Sequence, residues 1–338
     1  MLSLGIIGLP NVGKSTLFKL LTKQEVNIQN YPFTTIDPNV AVVPVKDERL
    51  DKVAQLSKPE KILPAVVEFY DIAGLVKNAN KGEGLGNQFL AQIRETNALI
   101  QVVRCFEDPS VVHLEGEVNP LRDIEIINTE LILKDLETLN KRINKIQKEA
   151  KTGQKEAQKE LEILTQIKNE LEKGNLFFSV FADEFLKEPG VKDLNLLTSK
   201  KQIYLLNTNS LAKQIPQEVI EKIKQIKGEY FVADLSQNPD LSDLIKKAYE
   251  ILNLISFFTI VGTSEAHAWP IPKGTKMIEA AGMIHSDFQE KFIKAEVINW
   301  QKLLEIGDWH KAREKGLVKI EGKDYIVQDG DVVIIKHR

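Results

Sequence analysis

The sequence contains very little cysteine and no long apolar run. Cys105 is the single cysteine among 338 residues, which excludes an internal disulfide and a metal site built from several cysteines. It lies in the apolar run 99–106, a setting that favours a buried thiol over a nucleophile. No apolar run approaches the roughly 20 residues that a membrane-spanning helix needs, and the chain begins on a strand-like segment rather than a basic and then apolar leader. We therefore expect a cytoplasmic protein without a membrane partner.

Neither sign of charge is in large excess. The 45 Lys and Arg residues are nearly balanced by 48 Asp and Glu residues, giving a formal net charge of -3. The whole chain is therefore not expected to attract nucleic acid by its overall charge, although a local basic face remains possible. Hydrophobic residues make up 43% of the chain, which is enough for two or three domains with buried cores. We expect a monomer.

Short β-type runs alternate with helical stretches in much of the chain. The β-type runs include LGIIG, AVVEFYD, ALIQVVRCF, QIYLLN and EYFVAD. Alternation of this kind predicts an α/β domain. After Ile255, short β-type runs separated by Gly and Asp predict a small β-rich terminal domain.

A segment rich in Lys, Glu, Gln and Leu interrupts this pattern. Its apolar residues repeat at alternating steps of three and four, which is heptad spacing: Ile132, Leu136, Leu139, Ile143 and Ile146. A break at 151–154, where Gly153 is a helix stop, precedes a second helical run. The pattern predicts an antiparallel helical hairpin inserted in the α/β domain. The hairpin is either a solvated pair of helices or an arm that contacts a partner, and the sequence leaves both interpretations open.

These segments give a division of the chain into three parts. The predicted parts are a nucleotide-binding domain at 1–123 and 199–254, a helical insertion at 124–198, and a terminal β-rich domain at 255–338.

The stretch GLPNVGKSTLF, which follows the apolar run Leu4–Ile7, has the spacing of a P-loop. In a P-loop, backbone N–H groups curl around phosphate oxygens at the start of a helix. Lys14 supplies positive charge to the β- and γ-phosphates, and the hydroxyl of Ser15 is a ligand for Mg²⁺. The predicted nucleotide-binding residues of the loop are Asn11, Val12, Gly13, Lys14, Ser15 and Thr16.

Two further segments complete a predicted phosphate and Mg²⁺ site. Asp71 ends the apolar strand of AVVEFYDIAG, where a Walker-B carboxylate is expected, and the backbone of Gly74 is placed to sense the γ-phosphate. Between this motif and the P-loop lies NYPFTTIDPN, in which Thr34 or Thr35 could provide the switch hydroxyl. Because of its position, we take Thr35 as the candidate Mg²⁺ ligand, together with Ser15 and Asp71.

The usual catalytic glutamine of Ras-like GTPases is missing. Leu75 occupies its position after DxxG, and a leucine cannot orient a water by hydrogen bonding. Another group or a bound cation must therefore take this role. The amide oxygen of Asn11 is a candidate ligand for K⁺ near the phosphates, although capping of the loop explains this residue equally well.

The motif that recognises guanine is also altered. Guanine specificity usually comes from NKxD, whereas the corresponding strand here ends in QIYLLNTNS. Asn207 keeps the first position, but Thr208 replaces the lysine and Ser210 replaces the aspartate. Without that carboxylate, the two donors of guanine would be left poorly paired. We therefore predict that the protein binds ATP, or selects weakly between bases, with Asn207 and Thr208 in the site.

Taken together, these motifs resemble the YchF-type Obg-like P-loop ATPases. The resemblance covers essentially the whole chain, and it depends on these blocks: GLPNVGKST, NYPFTTIDPN, DIAGLVKNANKGEGLGNQFL, CFEDPSVVHLEGEVNP, FFTIVGTSEAHAWPIPKGT, AAGMIHSDF and EGKDYIVQDGD. It implies a G domain interrupted by a coiled-coil hairpin and followed by a TGS domain, which is a β-grasp module. It also implies Mg²⁺-dependent, slow ATP hydrolysis and an association with the ribosome or its RNA through the coiled-coil and TGS domains.

The resemblance assigns a catalytic role to one more residue, His113. From its neighbours alone, His113 is expected to be a surface loop residue. The family also carries a glutamate where this chain has Ser210, so the base motif departs from the family pattern as well. Two alternatives to an ATP-driven switch remain: a conventional GTPase, and a nucleotide-gated RNA or ribosome-binding protein in which hydrolysis is incidental.

Overall fold

The computed structural model describes residues 2–25, 37–72, 85–111, 113, 116–188, 190–209 and 215–338. These residues form two compact units. The first contains 2–23, 37–41 and the described residues between 68 and 241, and the second contains 24–25, 42–67 and 242–338.

The described residues contain two six-stranded sheets. Their strands in chain order are β1 (Ser3–Ile7), β2 (Val40–Pro44), β3 (Lys61–Leu63), β4 (Val66–Asp71), β5 (Ala98–Arg104), β6 (Gln202–Asn207), β7 (Glu229–Ala233), β8 (Leu254–Val261), β9 (Glu265–Pro272), β10 (Phe292–Asn299), β11 (Lys319–Glu321) and β12 (Asp331–His337). The helices are α1 (Lys14–Thr22), α2 (Glu48–Ser57), α3 (Leu85–Glu95), α4 (Pro120–Ala150), α5 (Lys155–Glu172), α6 (Phe177–Val180), α7 (Gln217–Gln225), α8 (Ser242–Ile251), α9 (Met277–Ile284), α10 (Ser286–Glu290), α11 (Trp300–Ile306) and α12 (Trp309–Glu314).

The first sheet has the order β2-β4-β1-β5-β6-β7, and its last five strands are parallel. Every residue of β1, β5 and β6 is buried, which is typical of parallel strands covered on both faces. In the central strand pair, Ile6 of β1 is in register with Asp71 of β4. The carboxyl ends of these strands therefore meet at one edge of the sheet, where α/β proteins bind their ligands. This mixed α/β organisation agrees with the predicted fold class.

Helix α4 contains the five predicted heptad residues, and α5 corresponds to the second predicted helical run. The 31-residue α4 begins at Pro120 behind Asn119, whose side chain accepts from the Arg122 N–H; a proline at the first helical position is favourable. A four-residue connection with Gly153 in the left-handed region (φ 87°) separates α4 from α5. The two helices pack against each other, and their core continues into α6 and the following turns. The residues of this core include Ile132, Leu139, Ile143, Ile146, Leu164, Ile167, Leu171, Phe177 and Leu196.

The middle of α4 is attached to the chain that leads into β6. The fully buried carboxylate of Asp135 accepts the N–H groups of Leu197 (2.9 Å) and Thr198 (2.7 Å), and it also accepts the Thr198 hydroxyl (2.6 Å). Burial raises the pKa of Asp135, while these hydrogen bonds oppose that change. Three donors offset part of the cost of placing the carboxylate in the interior.

The second sheet has the order β11-β10-β12-β8-β9-β3. Its core packs against α9 and includes Phe257, Trp269, Ile271, Met277, Ala295 and Val333. The edge strand β3 pairs parallel with β9, with Lys61 opposite Glu265. The sequence-based division assigned residues 61–63 to the nucleotide-binding part. A strand of three residues shows no periodicity, so its membership of this sheet depends on tertiary pairing.

In the described ranges no helix is both long enough and apolar enough to cross a membrane.

Candidate functional site

The P-loop joins the end of β1 to the start of α1, and two of its glycines are required by close contacts. Gly8 has φ 149°, and a Cβ atom there would lie 2.5 Å from the Val102 carbonyl oxygen. Gly13 has φ 110°, and its Cβ would lie 2.6 Å from the Nδ2 atom of Asn207. A side chain at either position would combine backbone strain with a clash. The two glycines therefore let the loop pass close to β5 and β6.

The remaining predicted P-loop residues lie between β1 and the first turn of α1. Asn11, Gly13, Lys14, Ser15 and Thr16 line one cleft, and Ser15 and Thr16 are exposed to it. Asn11 adopts a left-handed conformation with φ 61°, which asparagine tolerates better than most residues. The side chain of Val12 is buried at 1% exposure, so only its backbone is available to a ligand.

Lys14 and Asp71 are the charged residues predicted for the phosphates and Mg²⁺; Lys14 lines the cleft, whereas Asp71 is not among its lining residues. The ammonium of Lys14 donates to the carbonyls of Gly8 (3.0 Å) and Leu9 (2.8 Å). Burial lowers the pKa of Lys14 and raises the pKa of Asp71, and the opposite charge of each residue opposes the change at the other. Poorly hydrated charges interact strongly with a charged ligand. The hydroxyl of Ser15 and the carboxylate of Asp71 are hard oxygen donors, so they fit Mg²⁺.

Asn207 connects the P-loop to the segment after β7. Its Nδ2 atom donates to the Val12 carbonyl (2.9 Å), and its Oδ1 atom accepts the Leu235 N–H (3.2 Å). The side chain of Asn207 is 5% exposed, and that of the neighbouring Thr208 is 1% exposed. Both residues lie at the wall of the cleft, but Asn207 uses both ends of its amide to hold protein segments together.

The cleft has a volume of about 580 Å³. Apart from the P-loop and residues 207–209, its lining comes from two segments that the sequence analysis did not assign to the site: Phe106, Glu107, Asp108, Pro109 and Val111 after β5, and Asp234, Leu235 and Ser236 after β7. Each follows the carboxyl end of a parallel strand of the first sheet. Their position after strand ends could have indicated from the sequence that these segments belong to the site, because ligands bind at this edge of such sheets.

His113 is buried and paired with a carboxylate, so its expected place on a surface loop is wrong. It is 8% exposed, and its Nε2 atom lies 2.9 Å from Oδ2 of Asp123. Asp123 belongs to the first turn of α4, ten residues along the chain, and such a pairing leaves no periodic signal in the sequence. His113 is not among the residues that line the cleft.

The environment of the Cys105 thiol does not favour a nucleophile. Burial raises the pKa of the Cys105 thiol to about 12, which disfavours the thiolate that a nucleophile needs.

Five predicted site residues lie outside the described residues. They belong to the switch, the position of the catalytic glutamine and the base motif: Thr34, Thr35, Gly74, Leu75 and Ser210.

Comparisons with known proteins match both ends of the chain to family models. Residues 3–166 match the model described as a 50S ribosome-binding GTPase. Residues 254–338 match the model of the C-terminal domain of YchF-type GTPases, which is described as a protein of unknown function.

Several curated relatives match nearly the whole chain. The ribosome-binding ATPase YchF of Haemophilus influenzae is 45% identical, with 97% of each chain covered. The protein of the same name from Bacillus subtilis is 44% identical, with 98% of each chain covered. Among solved structures, the Schizosaccharomyces pombe YchF GTPase is 34% identical and superposes with a TM-score of 0.86, covering 99% of this chain and 97% of that one.

Proposed function

The chain belongs to the YchF family, and we propose that it is a Mg²⁺-dependent ATPase that acts as a slow regulatory switch on the ribosome. The curated relatives named above are called ribosome-binding ATPases, and a ribosomal partner implies a cytoplasmic protein. ATP is the proposed substrate, and hydrolysis resets the switch.

The observation that carries this proposal is the cleft itself. The loop with Lys14 and Ser15 forms one end, and the segments after β5, β6 and β7 form the rest. A volume of about 580 Å³ is within the range typical of small-molecule sites. The sequence lacks the lysine and aspartate of the guanine motif, which favours ATP.

Each residue near the phosphates has a proposed part in the reaction. Lys14 would hold the β- and γ-phosphates, and Ser15, Thr35 and Asp71 would hold Mg²⁺, which when bound would supply positive charge next to the transferred group. The backbone of Gly74 orders its segment when the γ-phosphate is present. These contacts bind and orient the nucleotide, and those made to the γ-phosphate are lost when it leaves.

Two further groups are proposed to assist hydrolysis. The amide oxygen of Asn11, which lies in the lining of the cleft, is a candidate K⁺ ligand, and activity unchanged on replacing K⁺ by Na⁺ would argue against it. His113 is the candidate for orienting water or stabilising the transferring group, with its imidazole oriented by Asp123. Full turnover in a His113→Ala variant that still binds nucleotide would remove His113 from the mechanism.

The proposed division of labour follows three parts of the chain. Residues 1–123 and 199–254 bind nucleotide, residues 124–198 form a coiled-coil arm, and residues 255–338 form a TGS domain of β-grasp type. The hydrophobic core shared by α4, α5 and α6 consists of buried residues between 132 and 196, which supports a separate arm. We propose that the arm and the terminal domain contact ribosomal RNA, and that the protein acts as a monomer.

Calorimetric titration with non-hydrolysable ATP and GTP analogues, in Mg²⁺ and K⁺, tests the choice of base. We expect the ATP analogue to bind at least about tenfold more tightly, a difference of about 1.4 kcal/mol. A Lys14→Ala variant should lose affinity for both nucleotides. Lys19→Ala, which changes an exposed lysine of the same helix, should bind both normally.

A conventional GTPase is the second candidate, and one observation favours it. The carboxylates of Glu107, Asp108 and Asp234 belong to the lining of the cleft, and a carboxylate near the base could accept the two donors of guanine. Equal or tighter binding of the GTP analogue would support this function and contradict the preference for ATP.

A further inference from the structure

Arg104 is a buried arginine at the end of β5, directly behind one wall of the nucleotide cleft. It is 2% exposed and lies in register with Asn207 on the neighbouring strand β6. Arginine is almost never fully buried unless its guanidinium is paired. Its partners therefore show why it is there.

The guanidinium holds the segment after β5 by its backbone. Nε donates to the Phe106 carbonyl (3.0 Å), Nη2 to the Asp108 carbonyl (3.3 Å), and Nη1 to the Val111 carbonyl (3.0 Å). It also stacks on the ring of Phe106, 4.6 Å from the ring centroid. One side chain thus fixes the beginning, the middle and the end of this segment, which we call the wall loop (residues 106–111).

The other hydrogen bonds of the wall loop within the described part of the chain are mostly local: Ser110 donates to the Asp108 carboxylate, and Asn209 makes a longer contact with the Glu107 carbonyl (3.4 Å). The loop contains no regular helix or strand. Near its two ends, the Cys105 N–H donates to the Asn207 carbonyl (2.7 Å) and the Val111 N–H donates to the Asp108 carbonyl (3.1 Å). The planar fork of arginine can reach several carbonyls at once, whereas a lysine ammonium is a compact point donor.

The wall loop faces the part of the cleft that the phosphates do not use. A P-loop binds phosphates through its own backbone and lysine, and here those groups lie at residues 11–16. The sugar and base must then occupy the remaining space, between the wall loop, residues 207–209 and residues 234–236.

We propose that Arg104 is a positioning residue that fixes the wall loop, so that this loop contributes affinity and selectivity for the base while the P-loop contributes affinity for the phosphates. The inference rests on the proposed nucleotide-binding function. It assigns the recognition of the base in part to a buried side chain that does not itself line the cleft.

The test compares full-length wild-type protein with an Arg104→Lys variant in Mg²⁺. Three probes are titrated: the non-hydrolysable ATP analogue, the GTP analogue, and inorganic tripolyphosphate, which has no base. We expect the variant to bind the ATP analogue at least about tenfold more weakly and tripolyphosphate within about twofold of wild type. The ratio of ATP to GTP affinity should fall towards one.

Arg94→Lys is the matched control. Arg94 also donates to a backbone carbonyl, that of Leu194 (3.0 Å), and to the Thr138 hydroxyl (3.1 Å), but it is not part of the cleft lining. This variant should lower the melting temperature and leave the ratio of ATP to tripolyphosphate affinity unchanged.

A parallel loss of ATP and tripolyphosphate binding in Arg104→Lys would overturn the proposal, and so would unchanged ATP binding.

A second variant covers the case in which Arg104→Lys does not fold. Ser110 is exposed, and its hydroxyl donates to Asp108 Oδ1 (2.6 Å) within the wall loop. Ser110→Ala should weaken binding of the ATP analogue by about threefold with tripolyphosphate unaffected; an unchanged ratio would contradict the role of the loop. In the wild-type protein, the ratio of ATP to GTP affinity tests the proposed preference for ATP. In the variants, the ratio of nucleotide affinity to tripolyphosphate affinity tests the role of Arg104, whichever base is preferred.

Discussion

At the scale of single residues, Asn207 links two loops, the P-loop and the segment after β7. Its amide donates to the P-loop at Val12 and accepts from Leu235 after β7. Since the side chain is 5% exposed, water cannot readily replace either bond. The same residue packs so closely on Gly13 that no side chain fits there. The shape of the phosphate-binding loop therefore depends on a residue almost two hundred positions away.

We expect Asn207→Ala to weaken both stability and nucleotide binding. The change leaves the Val12 carbonyl and the Leu235 N–H without their partner, which costs about 1–3 kcal/mol of unfolding free energy. Looser placement of the P-loop should also reduce affinity for the ATP analogue by about tenfold. Urea unfolding and calorimetric titration measure the two effects.

Asn209→Ala is the control for this prediction. Asn209 is exposed, and its side chain makes a longer contact of 3.4 Å with the Glu107 carbonyl. Its replacement should change the unfolding free energy by less than about 0.5 kcal/mol. If the two variants were equally stable, the bridging role of Asn207 would be contradicted.

Sequence alone could propose the site residues whose motif is local. Lys14 and Ser15 follow β1 and Asp71 is the last residue of β4, so all three lie at one edge of the sheet. Arg104 and the pair His113 and Asp123 could not be found this way. Their partners are backbone carbonyls or a residue on another element, and neither leaves a pattern in the sequence.

At the scale of secondary-structure elements, the helix pair α4 and α5 was the most predictable part of the molecule. Heptad spacing gives the buried face directly, because residues three and four apart lie on one side of a helix. The bounds were less predictable: α4 begins at Pro120, before the predicted insertion starts at 124. The first turn is set by the cap at Asn119 and by the His113–Asp123 contact, which are not periodic features.

Two leucines of α4 give a direct test of this packing. Leu139 is 0% exposed in the core shared with α5, whereas Leu133 is 50% exposed on the same helix. Leu139→Ala should lower the unfolding free energy by about 2–5 kcal/mol, because replacing a buried leucine by alanine leaves a cavity. Leu133→Ala should cost less than about 0.5 kcal/mol. Urea unfolding followed by circular dichroism at 222 nm measures both, and similar losses would contradict the assigned core face.

At the scale of the whole molecule, a net charge of -3 does not favour a general attraction to RNA, so a ribosomal contact needs a local basic surface. One candidate lies on the second sheet. Lys294 of β10 and Lys336 of β12 are partners in register, so their side chains lie on the same face. Arg313 is beside the buried Glu296 on this face (3.1 Å). Lys336 also lies near the Glu296 carboxylate (4.0 Å), so this face carries three cations and one buried carboxylate.

If this surface contacts ribosomal phosphates, a Lys294→Gln/Lys336→Gln variant should bind ribosomes more weakly and with less dependence on salt. Each lost phosphate contact lowers the slope of log affinity against log salt by about 0.7–0.9, so the pair should lower it by about 1.5. Cosedimentation with ribosomes between about 50 and 200 mM KCl measures the slope. Lys46→Gln/Lys52→Gln changes the net charge equally at two exposed lysines elsewhere in the second unit. If this control lowered the slope as much, the effect would come from overall charge, and the face carrying Lys294 and Lys336 would not be the contact.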